Sequence, residues 1–165
     1  MTIWQMNLID NREQENRCKD KELKFRICRE KSVLAIGWGL SAEFDSWQGY
    51  KNLADIFYKD NNGYLSAIAT IQKMSCKDLV WTQNPVTNEK YLAWVVDERP
   101  SLCGELREFD LFSYRKAEFH RVDERLLEEY GLLGQKLSGR KTIEQIRRQD
   151  VIDATVQLFE AMKQD

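Results

Sequence analysis

Five tryptophans stand in a chain of 165 residues, and one of them is flanked by glycine on both sides: Gly37-Trp38-Gly39. Glycine neighbours carry no side chain, so backbone and ligand can both approach that indole closely. A flat, polarizable nucleobase stacks on such a face, with about 1–3 kcal/mol gained per base. Two further indoles fit the same chemistry, Trp47 at the head of an amphipathic stretch and Trp81 in the run Asp78-Leu79-Val80-Trp81-Thr82. Reading a base edge also needs rigid donors and acceptors. Asn7, Asn11, Ser41 and Thr82 lie beside these aromatic segments and supply both. Trp94 alternates with Leu92 and Val96 and reads as core, as does Trp4.

Catalytic signals are weak. His120 is the only histidine, within Glu118-Phe119-His120-Arg121. No nucleophile elbow and no phosphate-binding loop occurs in the sequence. The four cysteines, Cys18, Cys28, Cys76 and Cys103, form no C-x-x-C pair, which argues against structural zinc and for free thiols. The expectation is a non-enzyme with no metal and no cofactor.

Charged residues make up 32% of the chain and hydrophobic ones 42%, with a net charge of −2, as in a soluble globular protein. No apolar run is long enough to span a bilayer. The opening residues lack a basic-then-apolar leader pattern. These features predict a cytoplasmic protein without membrane contact. The basic groups Arg26/Arg29/Lys31, Arg140/Lys141 and Arg147/Arg148 are short and read as solvated faces.

The elements that would position the indoles follow from periodicity. Ile3 to Asn7 alternates as a strand, and Val33 to Ile36 reads as a buried strand ending at Gly37. Asp10 to Lys24 is densely charged, either a loop or an exposed helix. Phe44–Tyr58 and Leu65–Met74 have helical spacing, broken at Asn61-Asn62-Gly63. Asp78–Thr82 and Tyr91–Val96 form a hairpin about an Asn84-Pro85 turn. Strand-like pieces follow around Phe109–Tyr114 and Ala117–Val122. Thr142 and Gln145 have capping-box spacing, so a helical segment is expected over 142–162, packed through Ile146, Ile152 and Phe159. The sum is a single α+β domain over 1–165, with a curled, mainly antiparallel sheet or barrel, inserted helices and a C-terminal helix.

An opening Ile3-Trp4-x-Met6-Asn7, a strand ending Ile36-Gly37-Trp38-Gly39, a helix pair, then Asp78-Leu79-Val80-Trp81-Thr82 with an Asn-Pro turn and Tyr91-Leu92-Ala93-Trp94-Val95 resembles a PUA-like domain family. That family is related to the EVE and YTH domains, which read modified bases. The ending, from Arg121-Val122 through Thr142-Ile143-Glu144-Gln145-Ile146, is similar too. The resemblance implies a module that holds a modified or flipped base in an aromatic pocket of Trp38, Trp81 and Trp47, with Asn7, Asn11, Ser41 and Thr82 as polar contacts. It implies DNA in preference to RNA as partner, and a setting in bacterial restriction or anti-phage defence beside a nuclease or other defence protein. Two positions depart from the family pattern: Lys77 replaces a common glycine before Asp78, and Gln83 replaces a common arginine after Thr82. With the negative net charge, the lost arginine supports an alternative. On this reading the same scaffold is a protein-interaction factor, such as a phage or mobile-element protein that inhibits or assists a defence complex.

Overall fold

A computed structural model describes residues 1–8, 20–37, 44, 46–59, 63–102, 105–106, 109, 111, 113–135, 137 and 142–164. The chain runs β1 (Ile3–Met6), α1 (Leu23–Glu30), β2 (Val33–Ile36), α2 (Trp47–Phe57), α3 (Gly63–Lys73), β3 (Leu79–Gln83), β4 (Lys90–Val95), β5 (Ser101–Leu102), β6 (Ser113–Val122), α4 (Glu124–Glu129), β7 (Ile143–Gln145) and α5 (Gln149–Met162). The strands make one curled sheet in the order β2-β6-β4-β3-β1-β7, with β5 paired to β6. β1 and β3 are parallel, and every other pair is antiparallel. The architecture is α+β and barrel-like.

Helices cover both faces of the sheet, which explains why β1, β2 and β3 read as near-continuous apolar runs. On one face, Trp4, Met6, Val80 and Ala93 pack with Phe25 and Cys28 of α1, Tyr50 of α2 and Ile71 of α3. On the other, Ile3, Leu79, Trp81 and Leu92 pack with Leu127 of α4 and Leu158 and Phe159 of α5. The strand path ends at β2 and β7, and α3 touches both.

Local chemistry fixes the joints. In the β3–β4 turn, the Asn84 side-chain oxygen accepts from the backbone N–H groups of Val86 and Thr87, at 2.9 and 3.2 Å. The amide of the same side chain donates to Glu22 just before α1, at 2.7 Å. Before β3, Lys77 takes a left-handed conformation with φ +73°. The next residue, Asp78, is buried, and its carboxylate accepts from Thr2 N–H at 2.6 Å, the Trp4 indole at 2.9 Å and Ser75 N–H at 3.0 Å.

Three elements differ from expectation. The charged stretch ends in a helix, α1, which buries Phe25, Ile27 and Cys28. The two strand pieces expected near 109–114 and 117–122 are one strand, β6, whose halves pair with β2 and β4. Its middle holds Arg115, fully buried, bonded to the Asp97 carboxylate at 2.7 Å and to the carbonyl of Met74. The expected capping box at Thr142–Gln145 is a strand instead. β1 offers a free edge there, and β7 takes it, pairing Met6 with Ile143 and Trp4 with Gln145. The helix begins at Gln149, with Ile146 and Phe159 buried and Ile152 packed against them.

Candidate functional site

The chain leaves the sheet at Gly37, one residue past β2, and returns at α2. Ser46 caps that helix by accepting from Gly49 N–H at 3.1 Å. This sets Trp47 at the first helical position, half-buried against the layer that Ile36 and Tyr50 help to form. Phe44 meets Tyr50 edge-on, with ring centroids 5.1 Å apart. At the foot of the segment, Ile36 pairs with Ser113. The Ser113 hydroxyl is buried and, among the described residues, has no hydrogen-bond partner. Like Thr82, Ser113 is 0% exposed, so its hydroxyl is closed off from solvent.

Asn7 lies directly beyond β1, half-buried, its backbone N–H donating to the Thr142 carbonyl at 2.9 Å. Trp47 and Asn7 are thus the two expected site residues that are described and partly open to solvent. Trp38, Asn11 and Ser41 lie outside the described residues.

Trp81 and Thr82 are corrections to the expected site. Trp81 is 0% exposed on the α5 face of the sheet, and its indole N–H donates to Thr155 at 3.0 Å. Trp47 belongs to the opposite face, so the two indoles cannot sandwich one ligand. Strand alternation decides this, since Leu79 and Trp81 share a face while Val80 and Thr82 turn to the other. Thr82 is 0% exposed with its hydroxyl unpartnered, shut in beside Tyr91, to which it is paired. Arg29 closes that side, donating to the Tyr91 hydroxyl at 3.2 Å and lying 6.0 Å from the Phe25 and Tyr91 ring centres.

One residue escaped the sequence reading. Lys90 opens β4 opposite Gln83, and its ammonium donates to the Gln83 side-chain oxygen. Burial holds its pKa below the usual lysine value. Lys90 also lines a groove of about 650 Å³ between the β3–β4 turn and the segment around α4. Hairpin register alone could have found it, since it sets Lys90 opposite Gln83. A second cavity, of about 510 Å³, lies between the Lys31–Val33 turn, Leu106 and Tyr114.

Among the described residues no three His, Cys, Asp or Glu side chains gather to hold a metal. Burial pushes the Cys28 thiol up to about 12, which leaves it un-ionised. No described helix is long and apolar enough to cross a membrane. Comparison with known proteins finds no matching family model, no matching curated protein and no matching solved structure.

Proposed function

We propose that this chain is a non-catalytic, PUA-like (EVE-like) nucleic-acid-binding module that takes a modified or flipped base, on DNA in preference to RNA. Its setting is cytoplasmic restriction or anti-phage defence. The base site lies where the chain leaves β2 at Gly37, with Trp38 as its stacking face and Trp47 at its edge; Asn7, level with Gln83 at the other end of the sheet, lies outside it. The observation that carries this reading is the half-open Trp47, fixed by its serine cap at the start of α2, the helix that follows the glycine-flanked segment in sequence. The left-handed φ at Lys77, the position where the resembling family commonly has glycine, supports it.

The test is binding to oligonucleotides bearing modified cytosines and adenines, against unmodified controls at fixed salt. Trp38→Ala should weaken base binding by about 1–3 kcal/mol, the loss of one stacking platform. A stability loss of about 3–5 kcal/mol with no change in affinity would instead mark Trp38 as core.

A second reading rests on an apolar surface. Ile56 and Phe57 are adjacent on α2 and 70% and 58% exposed, and Leu65 on α3 is 38% exposed. Such side chains favour a protein partner on the same scaffold, for example a defence complex. Ile56→Asp with Phe57→Asp would abolish that association and leave oligonucleotide binding intact.

A further inference from the structure

Two aromatic rings form a corner on the α5 face of the sheet. Trp94 of β4 and Phe159 of α5 stand at 67°, with ring centroids 5.5 Å apart. The Lys163 ammonium lies over both rings, 4.4 Å from each centroid. A ring face is negative, and it attracts a cation within about 6 Å of its centre. The corner is therefore a formed cation site, and a lysine of the same chain occupies it.

Helix spacing and strand register build this corner. Lys163 follows Phe159 by four residues, so the two lie on one side of the helix end. Lys163 is also the C-cap residue of α5, where the negative end of the helix dipole favours any cation. Across the sheet, Trp94 is paired with Glu118 of β6. Directly opposed residues share a face, with Cβ atoms about 5 Å apart, so the exposed Glu118 stands beside the indole. Lys116 and His120 flank Glu118 on the same face of β6, so that face carries both signs of charge. The rings, with Glu118 nearest to Trp94, are what select a cation here.

The resident lysine is exchangeable. Phe159 is buried and Trp94 partly buried, but Lys163 is exposed to solvent. Its primary ammonium is strongly hydrated and carries three N–H donors that ring faces satisfy poorly. A quaternary ammonium has the same charge, no N–H to leave unmet and more apolar surface to lay on an indole. Aromatic corners recognise such cations.

We propose that the Trp94–Phe159 corner binds a quaternary ammonium on an alkyl chain, the group shared by choline and a trimethylated lysine side chain, and that Lys163 occupies the corner until such a ligand displaces it. Trp47 belongs to the opposite face of the sheet, so this site is separate from the proposed base site and does not rest on it.

The experiment follows the indole N–H signals of the full chain by NMR, with Trp94 assigned through Trp94→Phe. Choline and the amide of N-acetyl trimethyl-lysine should each shift the Trp94 signal saturably and leave that of buried Trp81 in place. The uncharged carbon analogue of choline, with a tert-butyl group for the trimethylammonium, should not. Lys163→Ala removes the resident cation and should tighten choline binding about two- to fivefold, the worth of one exposed cation–ring contact. Lys163→Arg keeps a resident cation and should not tighten it. Tighter binding of choline assigns the ligand to a free or lipid-borne headgroup, and tighter binding of trimethyl-lysine assigns it to a modified side chain; either supports the site. Equal shifts with choline and its uncharged analogue overturn the proposal, as does a choline affinity that Lys163→Ala leaves unchanged.

Discussion

The indole N–H of Trp81 meets the Thr155 hydroxyl at 3.0 Å, and that hydroxyl donates its own proton to the Val151 carbonyl at 2.7 Å. The relay pins α5 to the centre of the sheet and satisfies each donor in a fully buried place. Trp81→Ala should cost about 3–5 kcal/mol, because it opens a large cavity under the helix. Thr155→Val should cost about 1–3 kcal/mol by orphaning the indole. Urea unfolding reads both, and the folded fraction of each variant should bind oligonucleotides as before. Loss of binding without loss of stability would return Trp81 to the site.

Lys77 holds a left-handed backbone at φ +73°. That conformation costs a residue with a Cβ about 1–2 kcal/mol. Glycine removes the strain but adds unfolded-chain entropy worth about 0.5–1 kcal/mol. Lys77→Gly should therefore stabilise the protein by about 0.5–1 kcal/mol. The check is a rise in the urea midpoint, and a fall would mean the turn is built differently.

Asp78 gathers three N–H donors from three places: Thr2, Trp4 and Ser75. Asp78→Ala strands all of them and should cost about 3 kcal/mol or more. Asp78→Asn retains an acceptor oxygen and should cost less. Equal melting temperatures for the aspartate and alanine forms would refute the role of this carboxylate.

Cys28 and Cys76 should differ in reactivity. The buried Cys28 thiol, pushed up to about 12, stays protonated and closed off, while Cys76 is part-exposed. Thiol labelling of the native protein near pH 8, mapped by mass spectrometry, should mark Cys76 and spare Cys28. The unfolded Cys28 thiol ionises near 9.0 and the folded one near 12. Cys28 thus contributes stability that is present below pH 9 and lost as pH rises toward 12. Cys28→Ala should flatten the alkaline fall in stability over that range.

Where one face of an element meets the core, periodicity showed it in advance. The helices at Trp47–Phe57 and Gly63–Lys73 and the hairpin about Asn84 follow from the spacing of Tyr50, Ala54, Ile68 and Ile71 and from turn chemistry. What escaped was decided by tertiary neighbours. Thr142-Ile143-Glu144-Gln145 satisfies a capping box as well as a short strand, and only the vacant edge of β1 settles which forms. Buried Arg115 interrupts the apolar pattern of β6 without breaking it, because Asp97 and the Met74 carbonyl satisfy its guanidinium. At the site, the bracketing of Trp38 by glycine and the place of Trp47 were visible as residues. The burial of Trp81 was not, since a strand with helices on both sides gives no sign of which indole is covered by which layer.

The β1–β7 ladder sets a timetable for the growing chain. Gln5 and Glu144, joined across it, are 139 residues apart. At about 5–20 residues per second, β1 leaves the ribosome some 7–30 seconds before its outer partner exists. The hairpin of β3 and β4 can close early, but Ile3 and Met6 keep one flank without its native partner until Ile143 is made. A pause late in translation lengthens the interval in which that flank of β1 can pair with another nascent chain instead of with its own β7.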